Sequence, residues 1–164
     1  MSPVRPDLVE CWVFRVGEQR DIDLLLLKRA PGRAYVGLWQ PVTGLLEPGE
    51  RVPLGALREV EEETAFGPSD IEAIYDLDQT TTFYEEGPDA LITSALFAVR
   101  VGPGAEPTTS DEHDAHRWAT PEESVRLAIW PSYRSSIDRI VDHLMDPERA
   151  PWFELDREGR RIRR

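Results

Sequence analysis

Apolar residues along the chain switch between a period of two and a period near 3.6, and the switches mark out its elements. "VECWVFRV" (9–16) and "IDLLLLK" (22–28) read as strands joined by the polar turn "GEQRD". "LWQPVTG" (38–44) reads as a short strand and "LEPGE" (46–50) as a loop. Pro53 suits a first helical turn, and "PLGALREVEEET" (53–64) carries helical patterning. Two longer strands follow at 71–85 and 90–101, then a loop over 102–112 and a short strand at 115–120. "PEESVRLA" (121–128) gives a turn or two of helix. "SYRSSIDRIVDHLM" (132–145) is amphipathic, with Ile137, Ile140, Val141 and Leu144 on one side. The basic stretch 150–164 is expected at the periphery, with its last residues disordered. Strands on both sides of a central helix, with another helix near the end, predict an α/β (α+β) layered fold. It is a mixed β-sheet with helices on both faces, in one domain over 1–164.

Composition narrows the class. A chain of 164 residues, 40% hydrophobic and 30% charged, can bury the core of one globular domain. No apolar run approaches the roughly 20 residues that span a bilayer, and the first residues lack a signal-peptide layout. The single cysteine, Cys11, falls in a strand, is expected to be buried, and fits a reducing, cytoplasmic setting. The net charge of −12 argues against nucleic acid or an anionic membrane as partner. A small polyphosphate stays compatible if divalent cations sit between the two negative partners.

The candidate chemistry lies in "REVEEETAF" (58–66), which packs Glu59, Glu61, Glu62 and Glu63 into five positions of the helix. At about 100° per residue, Ala56, Leu57, Val60 and Thr64 share one side. Glu59, Glu62 and Glu63 share the opposite side, and Glu61 falls towards the edge of the apolar face. Carboxylates at i,i+3 and i,i+4 repel unless something positive lies among them. A hard divalent cation such as Mg²⁺ would serve. A solvated acidic face explains the run equally well when it is taken by itself.

The wider stretch "GLLEPGERVPLGALREVEEETAF" (44–66) resembles the Nudix box. Gly44, Glu50, Arg58, Glu59, Val60, Glu62, Glu63 and Phe66 fall in register with that pattern. Ala65 stands where the family has Gly, at a cost of about 1 kcal/mol if the helix exit is left-handed. The resemblance implies a sheet sandwiched by helices and a Mg²⁺-dependent hydrolase, with Mn²⁺ as a substitute. Water would attack a phosphorus of a nucleoside diphosphate derivative. It implies Glu59 and Glu63 as direct ligands, Glu62 as ligand or base, and the Gly44 carbonyl as a backbone ligand. Glu50 would bind through water or brace Arg58. Glu112, in "TSDEHDAHRW", is the candidate for the further acid that such enzymes recruit, as ligand or base. Asp111 and Asp114 are its rivals, and Glu85 and Glu86 are weaker ones. His113 and His116 are expected to be surface or structural, since Mg²⁺ prefers oxygen. Lys28 and Arg29 are candidates to meet phosphates. Trp39 and Gln40 are candidates to bind substrate, Trp39 by stacking or else as partial core.

Over most of residues 4–143, "LWQPVTGLLEPGE", "DEHDAHRW" and "WPSYRSSIDRIVDHL" look like the bacterial dihydroneopterin triphosphate (or dATP) pyrophosphohydrolases. That likeness implies pyrophosphate release from a pterin or purine nucleoside triphosphate. Other Nudix chemistries, on dinucleoside polyphosphates, ADP-ribose or oxidised nucleotides, stay open. So does a non-catalytic nucleotide-binding module, although such modules typically lose the box glutamates that are kept here. A small-molecule partner is expected, with a monomer or homodimer as the assembly. Trp130, Trp152 and Phe153 are either a dimer contact or packing for the C-terminal segment.

Overall fold

The computed structural model describes residues 3–163. Arg164, the end of the tail expected to be disordered, lies outside them, as do Met1 and Ser2. In chain order the elements are β1 (Leu8–Val16), β2 (Ile22–Arg29), β3 (Trp39–Gln40), β4 (Val42–Leu45), α1 (Val52–Thr64), β5 (Ile71–Glu85), β6 (Ala90–Val101) and β7 (His113–Ala119). Then come α2 (Pro121–Leu127), α3 (Pro131–Arg139), a π-helical turn (Ile140–Leu144), α4 (Ala150–Phe153) and β8 (Glu154–Leu155). No helix among the described residues is long and apolar enough to cross a membrane.

The described strands form one mixed sheet in the order β3-β2-β1-β6-β5-β8. β1 and β6 are parallel, while the other pairs are antiparallel. β1 and β2 pair only over Phe14–Val16 against Ile22–Leu24. Beyond that they diverge, and residues 39–45 fill the gap: β3 bonds to β2, and β4 bonds to β1. The strand expected at 38–44 is therefore two strands hinged at Pro41, which has no N–H to give to a ladder. β7 covers the far edge of β2.

Strand alternation puts one half of the core on each face. Val9, Cys11 and Val13 of β1 point towards α1, where they meet Val42, Ala56, Val60 and Phe66. Trp12 and Phe14 point the other way, towards Tyr133, Ile137, Ile140 and Leu144 of α3 and its π-helical extension. Each large aliphatic or aromatic side chain among these contributes about 1.5–3 kcal/mol on burial. In the wider π turn Val141 is exposed, unlike its three apolar companions. The tail departs from the expected periphery. Leu155 is buried in the α1-side core, and β8 pairs with β5. Arg157 donates to the carbonyls of Pro68 (2.9 Å) and Ile71, and Arg161 pairs with Asp76. The tail's basic residues thus clamp the sheet edge through two backbone carbonyls and an acid there.

Candidate functional site

β4 and α1 face each other across Gly44. A Cβ at Gly44 would overlap the Glu59 carboxyl group, so only glycine leaves room for that side chain against the strand. α1 ends at Ala65 in a left-handed conformation (φ 61°, ψ 13°), with its N–H donating to Glu61 O at 2.9 Å. Ala65 thus adopts the backbone for which the family pattern uses glycine.

Arg58 is the centre of the acidic helix face. Its Nε and Nη2 donate to the two oxygens of Glu50, at 2.9 and 3.1 Å. Nη1 reaches Glu59 at 2.7 Å and Glu62 at 3.2 Å, and Nη2 also bonds the Leu45 carbonyl at 2.9 Å. The bidentate Arg58 pair lowers the Glu50 pKa, and Glu50 in turn raises that of Arg58. Four of the box residues are thus one ionic strut, with Arg58 supporting the glutamates rather than standing free towards a ligand.

The three glutamates have unequal environments. Glu62 is exposed, Glu59 is mostly covered, and Glu63 is only 4% exposed. The opposite face of the helix is therefore not a uniform solvent face, because β4 and the 102–112 loop close over Glu63. That loop is stitched to the end of α1 by Thr108 N–H to Thr64 O (2.9 Å) and Ser110 N–H to Glu63 O (3.2 Å). Burial raises the Glu59 pKa, against the hydrogen bond from Arg58. Burial, then the charges of Glu59 and Glu112, push Glu63 to about 9, against the Thr43 N–H and Arg29. Glu63 Oε2 is buried with no hydrogen-bond partner. His113, also buried, lies 3.7 Å from it, but burial lowers the His113 pKa to about 4. Burial thus disfavours the charged form of both groups in this contact.

Glu112 stands beside this cluster. Arg29 binds its Oε2 at 3.0 Å, and Arg33 lies 3.7 Å from its Oε1. Its rival Asp111 is exposed and pairs with Arg33, and Asp114 is exposed. Glu85 accepts from Tyr35 Oη at 3.4 Å, and His116 lies 3.7 Å from Glu106. Among the described residues no three His, Cys, Asp or Glu side chains are yet gathered as closely as an enclosed ion requires, and Arg58 holds Glu59 and Glu62 towards itself. The donor set nevertheless fits a hard divalent cation. It offers the unpaired buried oxygen of Glu63, the Glu59 carboxyl seated over Gly44, and Glu112 close enough to perturb both.

Behind β4 lies a cavity of about 750 Å³. Arg29 and Gln40 line it, and Lys28 and Trp39 do not. Strand alternation turns Trp39 away to pack, half-buried, against the α3-side core. The aromatic lining comes instead from Tyr35, Phe83, Tyr84, Trp130 and Tyr133, which the sequence reading did not place at the site. Tyr35 and Trp130 meet edge to face at 6.3 Å. Thr43 joins the two regions, because it lines the cavity while its N–H supports Glu63. The sequence reading also missed Glu10. Its signal was a lone acid at an inward position of an apolar strand.

A family model for the NUDIX domain matches residues 5–140. The chain is 34% identical to an octanoyltransferase of Myxococcus xanthus over 127 residues, 76% of this chain and 34% of that one. It thus spans about a third of that relative's length. It is 28% identical over 116 residues to the asymmetrical bis(5'-nucleosyl)-tetraphosphatase of Mus musculus, covering 71% of this chain and 76% of that one. Among solved structures, the Escherichia coli dihydroneopterin triphosphate pyrophosphohydrolase superposes with a TM-score of 0.67 at 24% identity, over 82% of this chain and 94% of that one.

Proposed function

From the premise that the chain belongs to the Nudix family, we propose that it is a divalent-metal-dependent pyrophosphohydrolase of a nucleoside-triphosphate-like substrate, releasing a monophosphate and pyrophosphate. The observation that carries this reading is the buried, unpartnered Glu63 oxygen beside Glu59 and Gly44, one strand away from a large cavity. Glu59, Glu63 and Glu112, with the Gly44 carbonyl, are the groups to hold the metal, Mg²⁺ first and Mn²⁺ as a substitute. A bound divalent cation would supply neutralisation of the phosphate oxygens and activation of water.

The chain's own residues divide the remaining work. Arg58, backed by Glu50, holds Glu59 and Glu62 in place. Arg29 lies where the cavity meets the carboxylates, so it suits a phosphate that displaces Glu112 from it. Gln40 and the aromatic lining suit the heterocycle. Glu62 is the carboxylate left to accept the proton of the attacking water as the new O–P bond forms and the bridging O–P bond breaks. The favoured substrates are dihydroneopterin triphosphate and dATP-type triphosphates, by the likeness at residues 38–50, 111–118 and 130–144. A second reading, asymmetrical cleavage of a dinucleoside tetraphosphate, draws on the mouse relative.

Both readings are tested on one panel: dihydroneopterin triphosphate, the four dNTPs, a diadenosine tetraphosphate and ADP-ribose, each with Mg²⁺ and with chelator. Pyrophosphate release that is fastest on the pterin or dATP, and lost in Glu63→Gln, supports the first reading. Nucleoside triphosphate formed from the tetraphosphate supports the second. Absence of metal-dependent turnover on the whole panel rejects both.

A further inference from the structure

The cavity floor carries a polar group that the hydrolytic chemistry does not use. Glu10 is 6% exposed, sits in the first half of β1, and lines the cavity. Its Oε1 accepts from Trp12 Nε1 at 3.0 Å. Its Oε2 has no hydrogen-bond partner among the described residues, and no Lys or Arg pairs with the carboxyl group. A buried carboxyl that serves only packing is costly, since an apolar residue would fill the strand position at no desolvation penalty. Burial also pushes its pKa up to about 7, against the Trp12 hydrogen bond, so the group is held poised rather than neutralised by an ion pair. Around it, Gln40, Ser94 and Tyr133 are 5%, 4% and 6% exposed and line the same floor. The Gln40 amide N–H₂ is engaged by Thr43 Oγ1 at 3.2 Å. Beyond the aromatic walls the cavity thus ends in a small, largely buried polar patch that presents the Glu10 carboxyl group. That is how a site built to read the polar edge of a flat ring is made.

We propose that Glu10 selects the substrate's heterocycle, its Oε2 accepting from an exocyclic amino group that lies beside a ring nitrogen. Purines and pterins carrying that group are the class it takes. The assignment rests on the reading of the cavity as the heterocycle's site, and it adds a residue and a chemical criterion to that reading. Trp12 fixes the carboxyl from the core side, and Tyr133, whose ring meets Trp12 edge to face at 5.6 Å, fixes Trp12. Glu10 is thus presented on a rigid strand instead of a loop.

The test compares ring pairs that differ in the amino group: dGTP with dITP, and dATP with the triphosphate of unsubstituted purine deoxyriboside. The wild-type protein should favour the aminated member of each pair by at least roughly tenfold in kcat/KM. Glu10→Gln keeps the volume and the Trp12 contact through its amide oxygen, and turns the outward atom from acceptor to donor. It should lose that preference. A merely structural role for Glu10 would lower all four substrates together. A binding arm without phosphate or metal uses guanosine, adenosine and inosine, titrated by NMR in chelator. There Glu10→Gln should weaken the aminated nucleosides and spare inosine. If the wild type turns over no triphosphate yet shows this binding pattern, the hydrolase reading fails and the Glu10 assignment stands. Equal wild-type rates on aminated and unaminated rings, an unchanged preference in Glu10→Gln, or no discrimination among the nucleosides overturns the assignment. Glu10→Asp, which keeps the charge but shortens the reach, covers the case in which Glu10→Gln does not fold, and should also lose the preference.

Discussion

Replacing Ala65 by glycine should make the protein more stable. Ala65 closes α1 with φ 61° and ψ 13°, a conformation that crowds the Cβ of any L-residue. The crowding costs about 1–2 kcal/mol. Glycine removes that cost but has more freedom to lose on folding, which takes back about 0.4–1 kcal/mol. The Ala65 side chain is exposed, so deleting its methyl group sacrifices little packing. Its N–H bond to Glu61 O, at 2.9 Å, survives because it belongs to the backbone. The net expectation is a gain of about 1 kcal/mol, or roughly 3 °C in Tm for a chain of this length. Paired urea melts of wild type and Ala65→Gly would read it as a shifted midpoint at unchanged slope. Ala65→Val, a β-branched residue at the same φ, should shift the midpoint the other way by a larger amount. A midpoint that falls or stays put in Ala65→Gly would refute the account of a strained exit from α1. Turnover should stay within about twofold, since no side-chain chemistry is lost and 1.4 kcal/mol would be needed for a tenfold change.

Other perturbations reach the site itself. Gly44→Ala forces the Glu59 carboxyl out of its seat against β4, so metal-dependent hydrolysis should drop by roughly two orders of magnitude with the fold retained by circular dichroism. Arg58→Ala leaves Glu50 and Glu59 facing each other without a cation, and should lower unfolding free energy by about 2 kcal/mol in denaturant melts, with Arg58→Lys intermediate. Glu10 gives a pH signature. With its pKa raised from 4.5 to about 7, the folded protein holds a proton that the unfolded chain has released between those values. Its contribution is thus fully present below 4.5 and declines as pH rises through 7, by up to about 3 kcal/mol; Glu10→Gln should remove that share of the slope in melts run from pH 4.5 to 8, leaving the part due to Glu63, also raised, and His113, lowered. Leu155→Ala should cost about 2–3 kcal/mol by thermal melt, because that residue of the tail is buried in the α1-side core.

The helix and its box were readable because both are local. Helical period, Pro53 and fixed spacings within 44–66 need no knowledge of the rest of the chain. The burial of Glu63 was not readable, since a helical wheel separates an apolar face from its opposite but cannot show that β4 and the 102–112 loop close over one glutamate. Arg29 and Gln40 could be named from their place before the box. Trp39 and Lys28 were named on the same ground, yet the alternation of β2 and β3 turns them from the cavity. The register that decides this is set by pairing with distant strands. Pro41 was visible in the sequence and was read as part of one strand, although a residue without an N–H marks a break in a ladder. The cavity was beyond reach because its walls come from β1, the 30–38 loop, β5 and the start of α3. The tail looked peripheral because its arginines suggested solvent, while their partners, the carbonyls of Pro68 and Ile71 and the Asp76 carboxylate, lie about 85 residues away.

The parallel pairing of β1 with β6 has a consequence for how the chain assembles. Leu8 pairs with Ser94 and Arg15 with Val101, so the second edge of the central strand stays open until more than half the protein has been made. Earlier in synthesis β1 can bond only to β2 and β4, which appear soon after it. A hairpin with the 39–45 wedge is then the oldest structure in the molecule, and the cavity walls built from β5, β6 and the start of α3 come later. Closing so long a loop makes folding slow by the measure of sequence separation. The exposed edge of β1 over that interval is where a nascent chain of this protein would be held by a chaperone or would pair with a neighbour. A ribosome-stalled chain ending near residue 88 should therefore show protected amides in β4 and exchange-open ones on the β6 side of β1.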